Sequence, residues 1–359
     1  MPTDDAPDWP DEVTPGAVED VLATAFPDRP VTGVTDCSGM AHATYAATLG
    51  APRREVVVAC CVHDHLAARF AVEAPVTRLV GRETDLPVAP MLADSPTAGA
   101  VPWPYWVAGR LPGESPRNRF YDGHDLPPET VRQAGRLLGR LHAATAGEFG
   151  APARLRRTGT GEDVPDDADL TADGDLALDR GPWSTMLADL AREQIDQLAA
   201  LEGFAFADLL PAVRESVEAH LPSLGDPEET VLCHHDYRPA NCLFADGDVT
   251  GVVDWERALV GPPAYDLAKA EWNFADAPGR APADRRPLRE ALRAGYREVR
   301  ALPAGWPDRQ DRYCYRFLHA LELLWAYPVW RDRVPPERRD AVESGLRKTV
   351  ERTRSALSD

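Results

Sequence analysis

Short stretches of apolar and β-branched residues dominate the first third of the chain. Glu55 to Val62 is almost continuously apolar, which is typical of a strand covered on both faces. Val31 to Leu49 has strand character on both sides of a turn at Cys37-Ser-Gly39. His65 to Leu79 has helical spacing, although Pro75 favours a kink or an interruption there. These patterns predict a strand-rich lobe with one helix that ends near residue 105.

The remaining two thirds of the chain shows the longer periodicity of helices. Pro128 to Ala144 carries apolar residues at helical spacing, and several later segments repeat this pattern. Thr158 to Gly181 is acidic and rich in glycine, which predicts a surface loop. We therefore expect an α+β protein with an N-terminal antiparallel sheet lobe at residues 13–105. A larger, mostly helical lobe follows at residues 106–359, and a flexible acidic segment, residues 1–12, precedes both.

Composition and charge narrow the classes of function. The 359 residues carry a formal charge of −19, and the 39 basic residues include only two lysines, Lys269 and Lys348. A negative protein repels phosphate backbones, and no apolar run is long enough to span a membrane, so neither nucleic acid nor membrane is an expected partner. The charge indicates either an acidic pocket for a cationic substrate or a surface adapted to high salt. We favour salt adaptation, because the lysine depletion extends along the whole chain.

The cysteines and the N-terminal sequence indicate a reducing compartment. None of the six cysteines forms a Cys-x-x-Cys pair, and most lie among apolar residues, which predicts buried free thiols. The first residues are acidic and lack the apolar core of a secretion signal. We therefore expect a cytoplasmic protein.

Carboxylate and amide side chains gather in two neighbouring polar segments. His234-His-Asp-Tyr-Arg-Pro-Ala-Asn241 comes first, and Gly251-Val-Val-Asp-Trp-Glu256 follows it. Phosphoryl transfer needs a carboxylate that positions the acceptor hydroxyl and accepts its proton, and oxygen ligands for the Mg²⁺ that neutralises the phosphates. Asp236 and Asn241 on one loop, with Asp254 at the end of a following strand, satisfy these needs. Few protein oxygens are enough, because Mg²⁺ keeps water and phosphate as its other ligands.

These segments resemble the aminoglycoside phosphotransferase and choline kinase family of small-molecule kinases. That family carries His-x-Asp-x-x-x-x-Asn, then an Asp-Trp-Glu-like motif, then Gly-x-Pro with Tyr-Asp-Leu-Ala, which here reads Gly261-Pro-Pro-Ala-Tyr-Asp-Leu-Ala268. The resemblance implies a bilobal, protein-kinase-like fold and ATP or GTP as the phosphate donor. The roles that it implies are catalytic base for Asp236, Mg²⁺ ligand for Asn241 and Asp254, and support of the catalytic loop for His234 and Asp266.

The N-terminal half is similar to the same family in a looser way. Ser38 and Gly39 fall where the family has its nucleotide loop, although the segment has only one glycine. Glu73 matches the acidic residue of the family's helix, and Ala108 matches the hinge that contacts the base. The resemblance therefore implies that these residues contribute to nucleotide binding.

The third strand departs from the family pattern. The family places a basic residue there to hold the α- and β-phosphates, paired with the helix glutamate. The strand reads Val56-Val-Val-Ala-Cys-Cys-Val62, so that Ala59, Cys60 or Cys61 takes the position and Glu73 loses its expected partner. Either nucleotide affinity is reduced or an arginine binds the phosphates, the candidates being Arg54, Arg69 and Arg78.

Three functions compete on this evidence. The missing basic residue favours a degenerate kinase fold that acts only as a nucleotide or ligand binding module. The intact Asp236, Asn241 and Asp254 favour an active small-molecule kinase, which is our prediction. A protein kinase is excluded, because the eleven residues between Asp254 and Asp266 are too few for an activation segment that docks a peptide. Candidate acceptors are aminoglycosides, amino alcohols, sugars, glycated amines and homoserine-like metabolites.

Overall fold

The strands expected in the first third of the chain are present and pair into one antiparallel sheet. The computed structural model describes residues 12–38, 41–97, 99–116, 126–160, 169–277 and 282–357. The strands are β1 (Val31–Asp36), β2 (Ala43–Leu49), β3 (Arg54–Cys60), β4 (Met91–Ser95), β5 (Tyr105–Gly109), β6 (Ala153–Arg157), β7 (Asp169–Leu170), β8 (Leu176–Arg180), β9 (Val231–Cys233), β10 (Cys242–Ala245), β11 (Asp248–Val252) and β12 (Leu259–Gly261). The first sheet has the order β1-β2-β3-β5-β4, so β3 lies at its centre.

Long helices occupy the later part of the chain, as the periodicity predicts. The helices are α1 (Pro15–Ala25), α2 (Ala67–Glu83), α3 (Pro128–Ala144), α4 (Trp183–Ala199), α5 (Leu210–His220), α6 (Pro263–Glu271), α7 (Pro282–Arg297), α8 (Gln310–Trp330) and α9 (Pro336–Ser355). The predicted α+β class, with an antiparallel sheet followed by a helical region, is confirmed. Within the described ranges, no helix has the length and hydrophobicity that crossing a membrane requires.

The chain forms two compact units, and each of them draws on separate stretches of sequence. The first unit contains the chain up to Ser115, Arg154–Asp179 and Asn241–Ala258, and the second contains Pro116–Ala153, Arg180–Ala240 and the chain from Leu259 onward. The expected lobe boundary between residues 105 and 106 lies at the start of β5. The catalytic loop predicted from the sequence crosses from the second unit into the first at Asn241.

The core of the first unit lies between α1 and one face of the sheet. Helix α1 begins where its sequence predicts, because the Thr14 hydroxyl accepts a hydrogen bond from the Ala17 N–H at 3.2 Å. Val18 and Leu22 of this helix are fully buried and belong to the same cluster as Val58 of β3. Burial of this apolar face fixes the sheet that carries the nucleotide-loop and strand positions.

Two local predictions need correction. Helix α2 continues through Pro75, so the expected interruption is absent, while the alternative of a kink stays a prediction. Asp169–Leu170 and Leu176–Arg180, expected to be loop, form the antiparallel pair β7 and β8. Leu176 and Leu178 are buried, and this burial outweighs the acidic and glycine-rich composition of their neighbours.

Helices α3 and α7 of the second unit approach each other to backbone contact. A Cβ atom placed on Gly295 would lie 1.8 Å from the Arg132 carbonyl oxygen, and one on Gly135 would lie 2.0 Å from that of Leu292. Both glycines are therefore required by the packing of two backbones, which a side chain cannot relieve by changing rotamer.

We expect Gly295→Ala to destabilise the protein by about 2 kcal/mol or more, because the added methyl forces the two helices apart. The matched control is Gly345→Ala in α9, where an added Cβ meets no atom within 4 Å. That change removes backbone entropy from the unfolded chain and is expected to add about 0.5–1 kcal/mol. Urea unfolding of both variants measures the difference, and a Gly295→Ala protein as stable as the parent would contradict the packing account.

Candidate active site

The predicted catalytic loop leaves β9 through a tight backbone turn that Asp266 holds. The Asp266 carboxylate accepts hydrogen bonds from the backbone N–H groups of His234 at 2.7 Å and His235 at 3.0 Å. His235 has a φ of +65°, which is costly for a residue with a side chain. Asp266 lies in the first turn of α6 and is fully buried, so the helix places one carboxylate against two adjacent amides.

A buried histidine completes the environment of Asp266. His142 Nε2 lies 3.3 Å from the Asp266 carboxylate, and His142 Nδ1 lies 2.9 Å from the Tyr296 hydroxyl. Burial lowers the pKa of His142. Burial by itself raises the pKa of Asp266, but the hydrogen bonds from His142 and the His234 amide outweigh it and lower that pKa. The result is an ionised carboxylate beside a neutral imidazole.

The residue types of this cluster would also suit a metal ion. Among the described residues, His142, Cys233 and Asp266 could supply three ligand atoms within 4.8 Å of one another. Both carboxylate oxygens of Asp266 already accept backbone hydrogen bonds, however. The Cys233 thiol donates to the Pro262 carbonyl at 3.7 Å, so the cluster is a hydrogen-bonded support of the loop.

Asp236 follows this support and lies at the edge of the buried region. Its side chain is 13% exposed, and its Oδ2 atom lies 3.0 Å from Nε of Arg238. The backbone N–H of Asp236 donates to Nδ1 of His234 at 3.4 Å. The His234 ring meets the edge of Tyr237, whose hydroxyl donates to the Ala134 carbonyl at 2.9 Å. These contacts hold a carboxylate in one orientation, with a guanidinium beside it.

The neighbouring His235 belongs to a different network, which the sequence did not reveal. His235 Nε2 lies 3.1 Å from Glu322 and 2.8 Å from the Tyr265 hydroxyl. The other Glu322 oxygen accepts from Lys269 Nζ at 2.6 Å, and both side chains are buried. The available signal was Lys269 itself, one of two lysines in the chain and three residues after Asp266.

In the first unit, Asn241 and Asp254 flank the open end of one two-stranded ribbon. Strands β10 and β11 are antiparallel, with Cys242 opposite Val252. The Asn241 carbonyl continues the ladder by accepting the N–H of Val253 at 3.0 Å. Asp254 has a φ of +71°, so the chain turns sharply away after the ribbon. The ribbon thus places an amide and a carboxylate at the same end of two paired strands.

Glu73 of α2 lies beside this turn. Its side chain is buried, and the N–H of Trp255 donates to its carboxylate. Burial, together with the charges of Asp254 and Glu256, raises the pKa of Glu73 well above its ordinary value. Glu73 therefore anchors the backbone next to Asp254, which is a role that the sequence does not reveal.

The structure reduces the possible positions for the missing strand cation. Cys60 faces the core between the sheet and α1, whereas Ala59 and Cys61 pack against Phe70 of α2. Ala43 pairs with Cys60 across β2 and β3, so His42 comes next in register, beside Cys61. The His42 ring contacts the edge of Phe70 with 4.7 Å between centroids. An imidazole thus occupies the face of the sheet on which the family carries its basic residue.

His42 is bound to the segment that contains Asp254. Its Nε2 atom lies 2.7 Å from the Glu256 carboxylate, while its buried Nδ1 atom has no hydrogen-bond partner among the described residues. Burial by itself lowers the pKa of His42, but the interactions with the Cys61 and Glu256 side chains raise it to about 10. His42 is therefore a cation in the first unit, at a place where the sequence analysis considered only arginines.

The three candidate arginines differ in their surroundings. Arg78 forms an ion pair with Asp94, which Arg157 also contacts at 3.2 Å, so Arg78 is directed to β4 and away from the segment that contains Asp254. Arg54 begins β3, five residues and about 16 Å of strand from Ala59. Arg69 lowers the pKa of Glu256, although the effects of burial and of His42 are larger. Of the three, Arg69 alone is directed electrostatically toward the segment that contains Asp254.

The remaining predicted nucleotide residues lie in the first unit. The Ser38 N–H donates to Asp36 at 2.7 Å, and its hydroxyl accepts from the Thr44 N–H at 3.1 Å, which closes the turn between β1 and β2. Ala108 is buried in β5 opposite Val57. Gly39 lies outside the described residues. Nucleotide contact by these residues stays a prediction.

Comparison with known proteins decides the family. A family model described as the phosphotransferase enzyme family matches residues 34–302, which is most of the chain and includes the loop, the ribbon and α6. The chain belongs to the phosphotransferase enzyme family.

Solved structures of phosphotransferases share its fold. One is a candidate aminoglycoside phosphotransferase from Ralstonia eutropha, with a TM-score of 0.60, 17% identity, and coverage of 97% of this chain and 99% of that one. Another is a thermostable mutant of the aminoglycoside phosphotransferase APH(4)-Ia in a ternary complex with ADP and hygromycin B, with a TM-score of 0.58, 18% identity, and coverage of 94% and 98%. The predicted kinase-like fold and the predicted enzyme class are confirmed.

Sequence similarity to a curated protein is more limited. An uncharacterized protein of Deinococcus radiodurans is 34% identical over 136 residues. The match spans 37% of this chain and 37% of the Deinococcus protein. It therefore adds no information on the acceptor of this phosphotransferase.

We expect Asp266→Ala to lower the free energy of unfolding of this phosphotransferase by about 2–5 kcal/mol, because two buried N–H groups lose their only charged acceptor. Asp266→Asn keeps one oxygen and is expected to cost less, which keeps the test possible if the alanine variant does not fold. Asp189→Ala, which removes an exposed ion pair with Arg192, is the control and is expected to change stability by less than about 1 kcal/mol. Equal effects at positions 266 and 189 would contradict the assigned support role.

Proposed function

We propose that this phosphotransferase is an active small-molecule kinase that transfers the γ-phosphate of ATP or GTP to a substrate hydroxyl. The observation that carries the proposal is the Asp236 carboxylate, oriented by Arg238 on a loop that Asp266 holds in a strained conformation. Strain of this kind persists when the surrounding structure enforces it and is concentrated at functional sites. The proposal keeps the expected cytoplasmic location, since all six cysteines are free thiols.

In this mechanism Asp236 accepts the proton of the acceptor hydroxyl as the bond between that oxygen and the γ-phosphorus forms. The bond between the γ-phosphorus and the bridging oxygen breaks, and the nucleoside diphosphate leaves with the electron pair. Arg238 keeps the carboxylate oriented until the proton arrives. The loop therefore supplies positioning and proton acceptance, which is the chemical work that phosphoryl transfer requires from a protein.

The end of the β10–β11 ribbon has the donor atoms that Mg²⁺ prefers. Asn241 supplies an amide oxygen and Asp254 a carboxylate, and the Val253 hydrogen bond fixes the backbone between them. When bound with nucleotide, Mg²⁺ neutralises the charge of the phosphates. Glu73 supports this arrangement by accepting the Trp255 N–H next to Asp254.

A nucleotide or ligand binding module without phosphotransfer is the second candidate. The absence of a basic side chain at Ala59, Cys60 and Cys61 favours it. His42 weakens this argument, because it brings a cation to the face of the sheet formed by Ala59 and Cys61. An active kinase needs Asp236 for turnover. A binding module has no turnover and needs Asp236 only for folding.

We expect Asp236→Asn to lower turnover by about 10²–10⁴-fold, because the amide cannot accept the hydroxyl proton. The measurement is nucleoside diphosphate release from ATP and from GTP over a panel of hydroxyl compounds, with melting temperature and nucleotide affinity of the variant recorded in parallel. Asp189→Asn is the control for a surface carboxylate and is expected to keep full turnover. If turnover of Asp236→Asn stays within a factor of two of the parent, Asp236 is not the catalytic base.

We expect His42→Ala to weaken binding of ATP with Mg²⁺ by about tenfold or more, since charge-assisted contacts to phosphate have that magnitude. Arg54→Ala, at the opposite end of β3, is expected to change the affinity by less than twofold. His42→Lys restores an ammonium on the same face and is expected to recover part of the loss. If Arg69→Ala weakens binding while His42→Ala does not, an arginine has taken the place of the strand cation.

A further inference from the structure

The second unit contains a cavity of about 380 Å³ next to the catalytic loop. Its walls come from the catalytic loop, the turn after α6, and helices α7, α8 and α9. This size is within the range of pockets that bury small organic ligands. The charge, the apolar surface and the position of the cavity each restrict what it can bind.

The charge of the cavity is opposite to the charge of the protein. Its charged lining residues are the cations Arg238, Arg285, Arg338, Lys348 and Arg352 and the single acid Asp276. Asp276 is itself neutralised, because it forms ion pairs with both Arg289 and Arg316. In a chain with a formal charge of −19, five cations around one small volume form a local field that attracts anions.

Two of these cations are exposed side chains of α9. Lys348 and Arg352 of α9 form no ion pair within 4.0 Å in the part of the chain that the structure describes. Arg347, adjacent in sequence, faces away from the cavity and binds Asp208 with two hydrogen bonds of 2.6 Å and 2.9 Å. Arg347 is thus paired outside the cavity, whereas the exposed side chains of Lys348 and Arg352 line it. The repulsion between clustered cations is relieved when an anion binds among them.

The same cavity has an apolar and aromatic wall. Trp272, Leu323 and Trp330 line it, and Trp272 is only 1% exposed. The guanidinium of Arg352 lies over the Trp272 ring at 5.9 Å. The indole N–H of Trp272 is buried and donates to no described residue. The wall therefore fits a flat or apolar body, with a hydrogen-bond acceptor available to the indole.

Two contacts join the cavity to the candidate base. Arg238 lines the cavity and also lies 3.0 Å from Asp236. Asn273 lines it as well and donates to the Tyr237 carbonyl at 3.3 Å, one residue after Asp236. A molecule in the cavity therefore touches the side chain that orients Asp236. The cavity therefore lies beside the candidate base, with Arg238 between its interior and the Asp236 carboxylate.

We propose that this cavity binds the acceptor and that the acceptor is an organic anion, with a carboxylate or phosphate group, an apolar or aromatic body and a free hydroxyl. The proposal rests on the proposed kinase function and narrows its substrate class. Guanidinium groups bind carboxylate and phosphate equally well in a bidentate manner, so both anions fit. A polycationic acceptor such as an aminoglycoside is repelled by the same five side chains.

The first experiment measures binding without nucleotide, so that it does not depend on turnover. Phenyl phosphate, phenylacetate and benzylamine share one ring and differ in charge, and ligand-observed NMR at low ionic strength gives their affinities. Both anions are expected to bind at least tenfold more tightly than benzylamine. Equal or tighter binding of benzylamine overturns the proposal. Binding of only one of the two anions supports it and identifies the anionic group.

Variants then locate the probe within the cavity. Lys348→Met and Arg352→Met are each expected to weaken binding of the better anion by about tenfold, because each removes one charge-assisted contact. Arg347→Met removes a cation from the same helix outside the cavity and is expected to change it by less than twofold. If Arg347→Met weakens binding as much as the other two variants, the effect comes from the overall positive charge of α9. The anion then does not bind in the cavity, and the proposal is wrong.

Turnover separates this proposal from the proposed function. Hydroxylated anions, such as hydroxyphenylacetate, are assayed for nucleotide consumption beside neutral and cationic hydroxyl compounds. Consumption with anions alone supports both proposals. Consumption with aminoglycosides but not with anions overturns the acceptor class and leaves the kinase function standing. Tight anion binding that depends on Lys348 and Arg352, without consumption of ATP or GTP by any compound, overturns the kinase function and leaves an anion-binding cavity.

Discussion

The catalytic loop depends on one buried carboxylate that accepts two consecutive backbone amides. Removing the Asp266 charge from water is costly, and the amides of His234 and His235, together with His142, supply the compensation. In return, the carboxylate stabilises a left-handed backbone at His235 that this residue would not adopt alone. The turn sends His235 inward to Glu322 and leaves Asp236 at the edge of the buried region. Without Asp266, the loop has no evident means of separating these two side chains.

A candidate site can be proposed from the sequence where the relevant residues are close together in the chain. The segment from His234 to Asn241 is one short stretch of sequence. Its carboxylate and amide side chains indicate proton transfer and metal binding without knowledge of the rest of the fold. The contact of His42 with Glu256 was out of reach, because 214 residues separate the partners. The choice among Ala59, Cys60 and Cys61 was partly readable, since side chains alternate across a strand and Cys60 has to face the opposite side from its two neighbours. What decides that choice is the position of α2, which no local pattern gives.

The charge of the chain shows how a total can mislead about a site. A sum of −19 suggests affinity for cations, yet the field inside a small cavity is set by the groups within one screening length, about 8–10 Å. The cavity of the second unit is lined by five cations from three separate parts of the chain, the loop that carries Arg238, helix α7 and helix α9. Lys348 and Arg352 come from α9, more than 100 residues after Arg238. Only the fold brings them together, so an acidic sequence can hold a basic site.

In the first unit, a different interaction replaces the missing strand cation as the partner of the helix glutamate. In a kinase of the usual pattern, an ammonium group on the strand compensates the helix glutamate. Here Glu73 is buried near Asp254 and Glu256, and burial with these charges raises its pKa. The imidazole of His42 is committed to Glu256. Glu73 is thereby free to hold the Trp255 amide, which fixes the strained turn at Asp254. Glu73 thus matches the family's helix position and contacts the backbone of the predicted metal-binding segment in place of a strand cation.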